Sequence, residues 1–304
     1  MVVTEKDHWI DLLFAWKGTV LIKIWKRFLV VVGFAIIVTA LHTNEILMYN
    51  DFSDKPFSLI GLAISIFLGF RNNTSYDRFW EGRKLWGGIV NTSRSMSRKI
   101  ETCIFAIDLE QKKELIRLVA CYPHLLCQHL RKEKDLSIIA HLCKDASFLE
   151  PYSNRPIAFL HMLGKRFQDL YEQGKINAYH YPLLEEELQN FTNLQGGCER
   201  IKATPIPFSY NVLMHRIVGI YCFTLPFGLV ETLGTITPFA VAVVSYAFLG
   251  LDAIGEEIED PFNKDPNDLP LNYISTMIEL NLMQQIDEQT PTLPEPDIKT
   301  HILS

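Results

Sequence analysis

Residues 56–70 read PFSLIGLAISIFLGF, and this stretch decides the fold. It contains no Asp, Glu, Lys or Arg, and Arg71 follows it directly. Three further stretches also lack charged residues, namely 28–44, 217–230 and 232–251. Runs of this kind are typical of membrane-spanning helices. Three of the four are shorter than the roughly 20 apolar residues of a full span, so buried helices of a soluble all-α protein are the alternative.

The distribution of Lys and Arg favours the membrane interpretation. The four stretches form two pairs, and of the 29 Lys and Arg in the chain only Lys55 lies in the connections inside the pairs. The other ends of the stretches are flanked by basic residues, among them Lys23, Lys26, Arg27, Arg71 and Arg216. Because short basic segments stay in the cytoplasm, we predict two transmembrane hairpins with both termini cytoplasmic.

Composition narrows the class of protein. The formal net charge of −6 argues against nucleic acid as a partner, since phosphate backbones demand a concentrated basic face. Early charges at Glu5, Lys6 and Asp7 argue against a cleavable signal peptide. The six cysteines form no CxxC pair and avoid the predicted outer connections, which indicates reduced thiols.

We predict an all-α fold, because apolar residues between residues 96 and 194 recur at helical spacing. The helix of the second span is expected to continue in polar form beyond Phe70, and Gly196 with Gly197 to end a later helix. Four segments follow from these patterns. They are residues 1–70, an interfacial helix and the first transmembrane hairpin; 71–210, a cytoplasmic helical region; 211–252, the second hairpin; and 253–304, a cytoplasmic acidic segment, a helix and a disordered tail.

Leu62, Ile66 and Phe70 follow each other every fourth residue and therefore share one face of the second span. The same helix carries small residues at Ser58, Gly61, Ser65 and Gly69, which would let helices approach closely. If several copies surround an axis, this apolar face forms a constriction that gates ions by wetting and drying. The alternative is ordinary contact with lipid or a neighbouring helix.

Two groups of residues could hold metal ions. The carboxylates at 256, 257, 259, 260, 265 and 268 are oxygen ligands that suit Ca²⁺, but their spacing is not that of an EF-hand, and a solvated acidic face is the favoured alternative. The second group comprises Cys121, His124, Cys127, His129, His141 and Cys143. Its spacings fit no usual zinc site, so we expect these side chains to be scattered.

No nucleotide-binding glycine loop, nucleophile elbow or HExxH motif occurs in the sequence. We therefore expect that the protein is not an enzyme. A membrane-anchored helical scaffold or sensor is the alternative of another class.

Three segments resemble the bestrophin family of ion channels, its bacterial branch in particular. They are PFSLIGLAISIFLGFR at 56–71, GGCERIKATPIPFSY at 196–210 and GEEIEDPFNKDPNDL at 255–269. The resemblance implies a homopentamer in the bacterial inner membrane with one central pore for monovalent ions. It also implies that Leu62, Ile66 and Phe70 form a hydrophobic neck.

In animal members the acidic segment is a Ca²⁺ clasp, and the resemblance places the matching positions at Glu257, Asp260, Asp265 and Asp268. Lys264 and Pro266 interrupt the acidic run, so we expect no required cofactor and doubt control by Ca²⁺. Two of the three neck residues are aliphatic, as in the bacterial relatives, and this implies cation permeation. An acidic chain also steers cations, so the sequence favours sodium, with a chloride channel of the same architecture as the alternative.

Overall fold

The computed structural model describes residues 18–46, 55–295 and Leu303. The fold is all-helical, as predicted, with 77% helix. An isolated antiparallel bridge joins Ile104 to Ile176. The helices of the described residues are α1 (Leu21–Thr43), α2 (Lys55–Cys103), α3 (Leu109–Arg131), α4 (Arg155–Glu172), α5 (Tyr181–Ala203), α6 (Phe208–Leu233), α7 (Thr237–Ile258) and α8 (Leu271–Gln285). The predicted interfacial helix before residue 18, most of the first outer connection and the end of the predicted tail lie outside the described residues.

The chain divides into two compact units. Within the described residues, the hairpin unit comprises residues 18–46, 55–79 and 205–260, and the helical unit comprises residues 80–204 and 261–295 with Leu303. Helix α2 contributes its first part to the hairpin unit and its second part to the helical unit. The predicted continuation of the second span into a long helix is therefore observed.

The hairpin unit contains apolar helices whose surfaces are mostly exposed within the single chain. Two stretches are long and apolar enough to cross a membrane: Leu21–Thr43 and Phe208–Ile258. Only 28% and 22% of them are buried, whereas the core helix of a soluble protein is mostly buried. The predicted span at residues 56–70 provides roughly 22 Å of helix, less than the ~30 Å of a hydrocarbon core.

The core of the hairpin unit is a layer of aliphatic side chains between α1, α2, α6 and α7. Its buried members are, among others, Val31, Ala35, Ile64, Leu68, Val218, Cys222, Leu225, Val241 and Leu249. Close approach of α2 to α6 depends on glycine at two places. A Cβ added at Gly61 would lie 2.5 Å from the Tyr221 hydroxyl oxygen, and one added at Gly228 would lie 2.4 Å from the Phe57 ring.

The helical unit is a bundle in which α3 packs against α4, α5 and α8. Asp108 caps α3 by accepting a hydrogen bond from the backbone N–H of Gln111 at 2.7 Å. Tyr122, at the centre of α3, packs on the Phe191 ring with centroids 4.5 Å apart. Its hydroxyl donates to the Phe191 carbonyl oxygen at 3.1 Å, which satisfies a polar group buried in the bundle.

The prediction that Gly196 and Gly197 end a helix is wrong, because α5 continues through both to Ala203. Gly197 is buried, and a Cβ added there would lie 2.7 Å from a methyl of Leu85 on α2. A Cβ at Gly88 of α2 would likewise lie 2.6 Å from a methyl of Leu194. These glycines allow α2 and α5 to pack closely, and tertiary packing outweighs their low helix propensity.

Candidate functional site

The three residues predicted to line a neck lie on one face of α2 and point away from the core of the hairpin unit. Leu62 is 61% exposed, Ile66 50% and Phe70 64% in the single chain. The opposite face of the helix carries Ile64 and Leu68, which are buried against α1, α6 and α7. The helix therefore has one apolar face that the fold uses and one that the single chain leaves uncovered.

The small residues Ser65 and Gly69 lie beside this uncovered row on α2 and leave no side-chain polar group there without a hydrogen bond. The hydroxyl of Ser65 donates to the Gly61 carbonyl oxygen at 2.8 Å, so it is satisfied within its own helix. A Cβ added at Gly69 would meet no atom within 4 Å. Nothing in the described part of the chain therefore requires a glycine at position 69.

A buried ionic cluster fixes α2 directly after Phe70. Arg71 is 1% exposed; its guanidinium donates to the Asp252 carboxylate at 2.5 Å and to the Asp252 carbonyl oxygen at 2.7 Å. Nδ1 of His215 lies 2.5 Å from the other Asp252 carboxylate oxygen. The cluster joins α2, α6 and α7 by charge-assisted hydrogen bonds, which are stronger than neutral ones.

Sequence reasoning missed this ionic cluster. Arg71 and Asp252 are separated by 181 residues, and no local pattern pairs them. The only signal in the sequence was an Arg and an Asp that directly follow two of the apolar stretches.

The acidic segment begins in the hairpin unit, where its carboxylates hold neighbouring elements. Glu257, predicted as a clasp residue, lies 3.4 Å from the Lys23 ammonium of α1. Glu259, which belongs to the acidic segment but not to the four clasp positions, accepts from the Ile206 backbone N–H at 2.8 Å and from the Asn211 amide at 3.0 Å. Glu259 thus fixes the extended segment that leads into α6. Asp260 is half-buried at the end of the unit.

The remainder of the acidic segment forms a tight loop in the helical unit. The Asp268 carboxylate accepts from the Asp265 backbone N–H at 2.7 Å, and the backbone N–H of Leu269 donates to the Pro261 carbonyl oxygen at 2.9 Å. Lys264 pairs with Glu133. Carboxylates used in this way act as turn and ion-pair partners, not as a cage of oxygen ligands.

Across residues 18–46 and 55–295, no group of three or more His, Cys, Asp or Glu side chains is arranged to hold a metal ion. The Ca²⁺ clasp at Glu257, Asp260, Asp265 and Asp268 stays a prediction.

The histidines that were expected to be scattered are partly brought together. Nε2 of His124 lies 2.8 Å from one Glu279 carboxylate oxygen, and Nε2 of His141 lies 2.7 Å from the other. Burial raises the pKa of Glu279, but hydrogen bonds from both histidines outweigh burial and hold it below the ordinary 4.5. His129 instead pairs with Glu199 at 3.0 Å, and the Cys127 thiol donates to Asn272 at 3.3 Å.

Glu279 and His141 also line a cavity of about 1020 Å³ in the helical unit. Its charged walls pair with each other: Arg117 contacts Glu110 at 2.5 Å and also Glu288. A second pair, between Arg166 and Glu114, is 3.5 Å long. Arg117 and Arg166 are thus both engaged by carboxylates of the cavity wall.

The cysteine thiols are unsuited to nucleophilic chemistry. All six cysteines lie in the described part of the chain, and all are buried and free of disulfides. Burial raises the pKa of the Cys127 thiol to about 11 and that of the Cys198 thiol to about 12. Both thiols therefore stay protonated near neutral pH, and the protonated form is a poor nucleophile.

Comparison with known proteins gives a consistent result. The family model for the bacterial and fungal bestrophin proteins matches residues 1–284. A protein of Ralstonia nicotianae named as a voltage-dependent anion channel-forming protein is 38% identical over 285 residues, covering 92% of each chain. A protein of Escherichia coli with the same descriptive name is 38% identical over 300 residues, covering 98% of each chain.

The fold comparison agrees with the sequence comparison. The crystal structure of a bacterial bestrophin homologue from Klebsiella pneumoniae matches with a TM-score of 0.82 at 33% identity. The match covers 88% of this chain and 99% of the homologue. A point variant of that homologue, in which alanine replaces a tyrosine, matches with the same TM-score at 34% identity.

Proposed function

This chain belongs to the bestrophin family of ion channels, and from that membership we propose that it forms a homopentameric channel for monovalent anions. Members of this family are membrane channels and not enzymes, in agreement with the expectation from the sequence. The proposed location of the channel is the bacterial inner membrane, with both termini of each chain in the cytoplasm. The proposed partners are further copies of the chain, membrane lipids and the permeating ions.

The observation that carries the proposal is the uncovered row of Leu62, Ile66 and Phe70 on α2. An apolar row on a membrane helix, opposite the face that packs in the fold, suits a position facing a pore axis shared by several copies. A ring of such side chains admits water intermittently and so gates conduction without any moving plug.

Chloride is the proposed ion because the relatives at 38% identity are named as anion channel-forming proteins. The sequence itself favoured sodium, from two aliphatic neck residues and a net charge of −6. Sodium is therefore the second candidate. The two ions differ in the sign of one measurable quantity, the reversal potential across a salt gradient.

The decisive experiment is reconstitution of the purified protein into planar bilayers with asymmetric NaCl. A reversal potential close to the chloride equilibrium potential supports the anion proposal, and one close to the sodium potential replaces it with the second candidate. Absence of current, together with a monomeric particle in detergent, contradicts the channel proposal. A scaffold or sensor would give that result.

We propose no cofactor. The carboxylates at Glu257 and Asp268 have hydrogen-bond or ion-pair partners, so no mechanistic step depends on Ca²⁺.

A further inference from the structure

The cluster of Arg71, Asp252 and His215 lies beside the proposed neck. Arg71 directly follows Phe70 and projects about 140° around α2 from Ile66, on the packed side of the helix. The cluster is thus separated from the Ile66 side of α2 by about one helix diameter, roughly 10 Å. The space between them is protein, where salt screens less than in solution, and even in solution the screening length is about 8–10 Å.

One member of the cluster has a partly exposed side chain in the single chain. The side chains of Arg71 and Asp252 are 0% and 3% exposed, whereas the His215 side chain is 31% exposed. Nε2 of His215 also lies 4.0 Å from a carboxylate oxygen of Glu256, whose side chain is 60% exposed. His215 is therefore the most exposed member of the cluster in the single chain, beside a buried pair.

The charges around His215 come from three helices. Arg71 on α2 contributes +1, and Asp252 and Glu256 on α7 contribute −1 each, so the sum is −1 when the imidazole is neutral. A proton on His215 brings the sum to 0. Arg216 is the neighbouring cation on α6, and Lys23 of α1 is engaged with Glu257. Imidazole is the side chain that ordinarily changes charge between about pH 5 and 8.

We propose that His215 determines the ion selectivity of the channel, with its protonation shifting permeability from cations towards anions. The inference rests on the proposed channel function. A proton on every copy of His215 adds positive charge beside the neck, which lowers the local concentration of cations and raises that of anions. His215 acts through the potential at the neck and does not contact the ion.

The test measures the chloride-to-sodium permeability ratio of the reconstituted protein at about pH 8 and about pH 5.5. We expect the wild-type ratio to rise roughly threefold or more on acidification. His215→Gln keeps a polar side chain without the titration, and its ratio should be the same at both pH values. His161→Gln removes an exposed imidazole from α4 of the helical unit and should retain the wild-type change.

Glu256→Gln provides an independent readout, because an exposed side chain can be changed without unfolding the protein. It should raise the ratio at about pH 8 towards the acidic wild-type value. A wild-type ratio that is constant with pH, or a His215→Gln ratio that changes as much as wild type, overturns the inference while leaving the channel intact. A wild type without current at either pH overturns the channel proposal as well.

Discussion

At the scale of single residues, α2 has an uncovered face that we propose lines the pore and an opposite face that packs against α1, α6 and α7. The shared face of Leu62, Ile66 and Phe70 could be predicted from their spacing, because residues four apart lie on one side of a helix. Arg71, Asp252 and His215 could not, since their contacts join α2, α6 and α7 and depend on how the chain folds back. Local periodicity contains no information about such distant pairs.

Ile66→Ala and Phe70→Ala should each widen the neck and raise the single-channel current roughly twofold or more, because a wider apolar ring wets more readily. The matched control is Ile60→Ala, which removes an exposed side chain about 120° around α2 from Ile66. Currents in planar bilayers measure the effect. Equal currents in all three variants and wild type would remove these residues from the gate.

Glu279 predicts a pH dependence of stability in the helical unit. Its pKa is held below 4.5 in the folded state, so its contribution to stability is complete above that value and is lost as pH falls through the folded pKa. Glu279→Gln should lower the free energy of unfolding by about 1–3 kcal/mol near neutral pH. The difference between variant and wild type should shrink below about pH 4.5.

Chemical denaturation of the solubilised protein across this pH range measures that difference. Glu101→Gln, an exposed carboxylate at the end of α2, is the control and should match wild type throughout. A constant deficit of the Glu279 variant at every pH would contradict the role assigned to its ionised form.

At the scale of elements, the sequence predicted helices well and their ends less well. The continuation of the second span as one long helix, α2, could be predicted because apolar residues recur at helical spacing beyond Phe70 while the residues between them become polar. The pair Gly196 and Gly197 led to a wrong prediction, because a glycine can be required for either of two structural reasons that a sequence does not distinguish. One is the left-handed turn after a helix, and the other is close packing against a neighbouring helix. Only the position of Leu85 on α2 distinguishes them.

These adjacent glycines should respond oppositely to the same substitution. Gly196→Ala meets no atom within 4 Å and should stabilise the protein by up to about 1 kcal/mol through helix propensity. Gly197→Ala places a methyl 2.7 Å from Leu85 and should destabilise it by about 1 kcal/mol or more. Thermal unfolding midpoints report both signs. A stabilising Gly197→Ala would mean that Leu85 moves aside freely.

At the scale of the whole molecule, the hairpin unit exposes a large apolar surface in the single chain. Besides the neck row, α6 and α7 expose Leu213, Ile220, Phe239 and Val243, which are more than half exposed. A soluble monomer rarely leaves so much apolar surface in water. Lipid and further copies of the chain are the proposed cover, and the single sequence could not assign each residue to one of them.

Removal of Ca²⁺ should leave the current unchanged. Glu257 is paired with Lys23 and the Asp268 carboxylate accepts a backbone hydrogen bond, so a chelator such as EGTA has no proposed target in the channel. Currents recorded in the same bilayer before and after chelation, and after Ca²⁺ is restored, measure this. A reversible loss of current would reinstate the clasp at Glu257, Asp260, Asp265 and Asp268.

The empty space beside Gly69 has a consequence for mapping the assembly. A methyl group there touches no atom of the described residues, so we expect any penalty for Gly69→Ala to come from a neighbouring molecule. Suppose that the variant subunit keeps wild-type thermal stability when dissociated but no longer assembles. The interface between neighbouring subunits would then lie in contact with a methyl group at position 69. The effect of Gly69→Ala on assembly thus reports whether an adjoining subunit lies next to position 69.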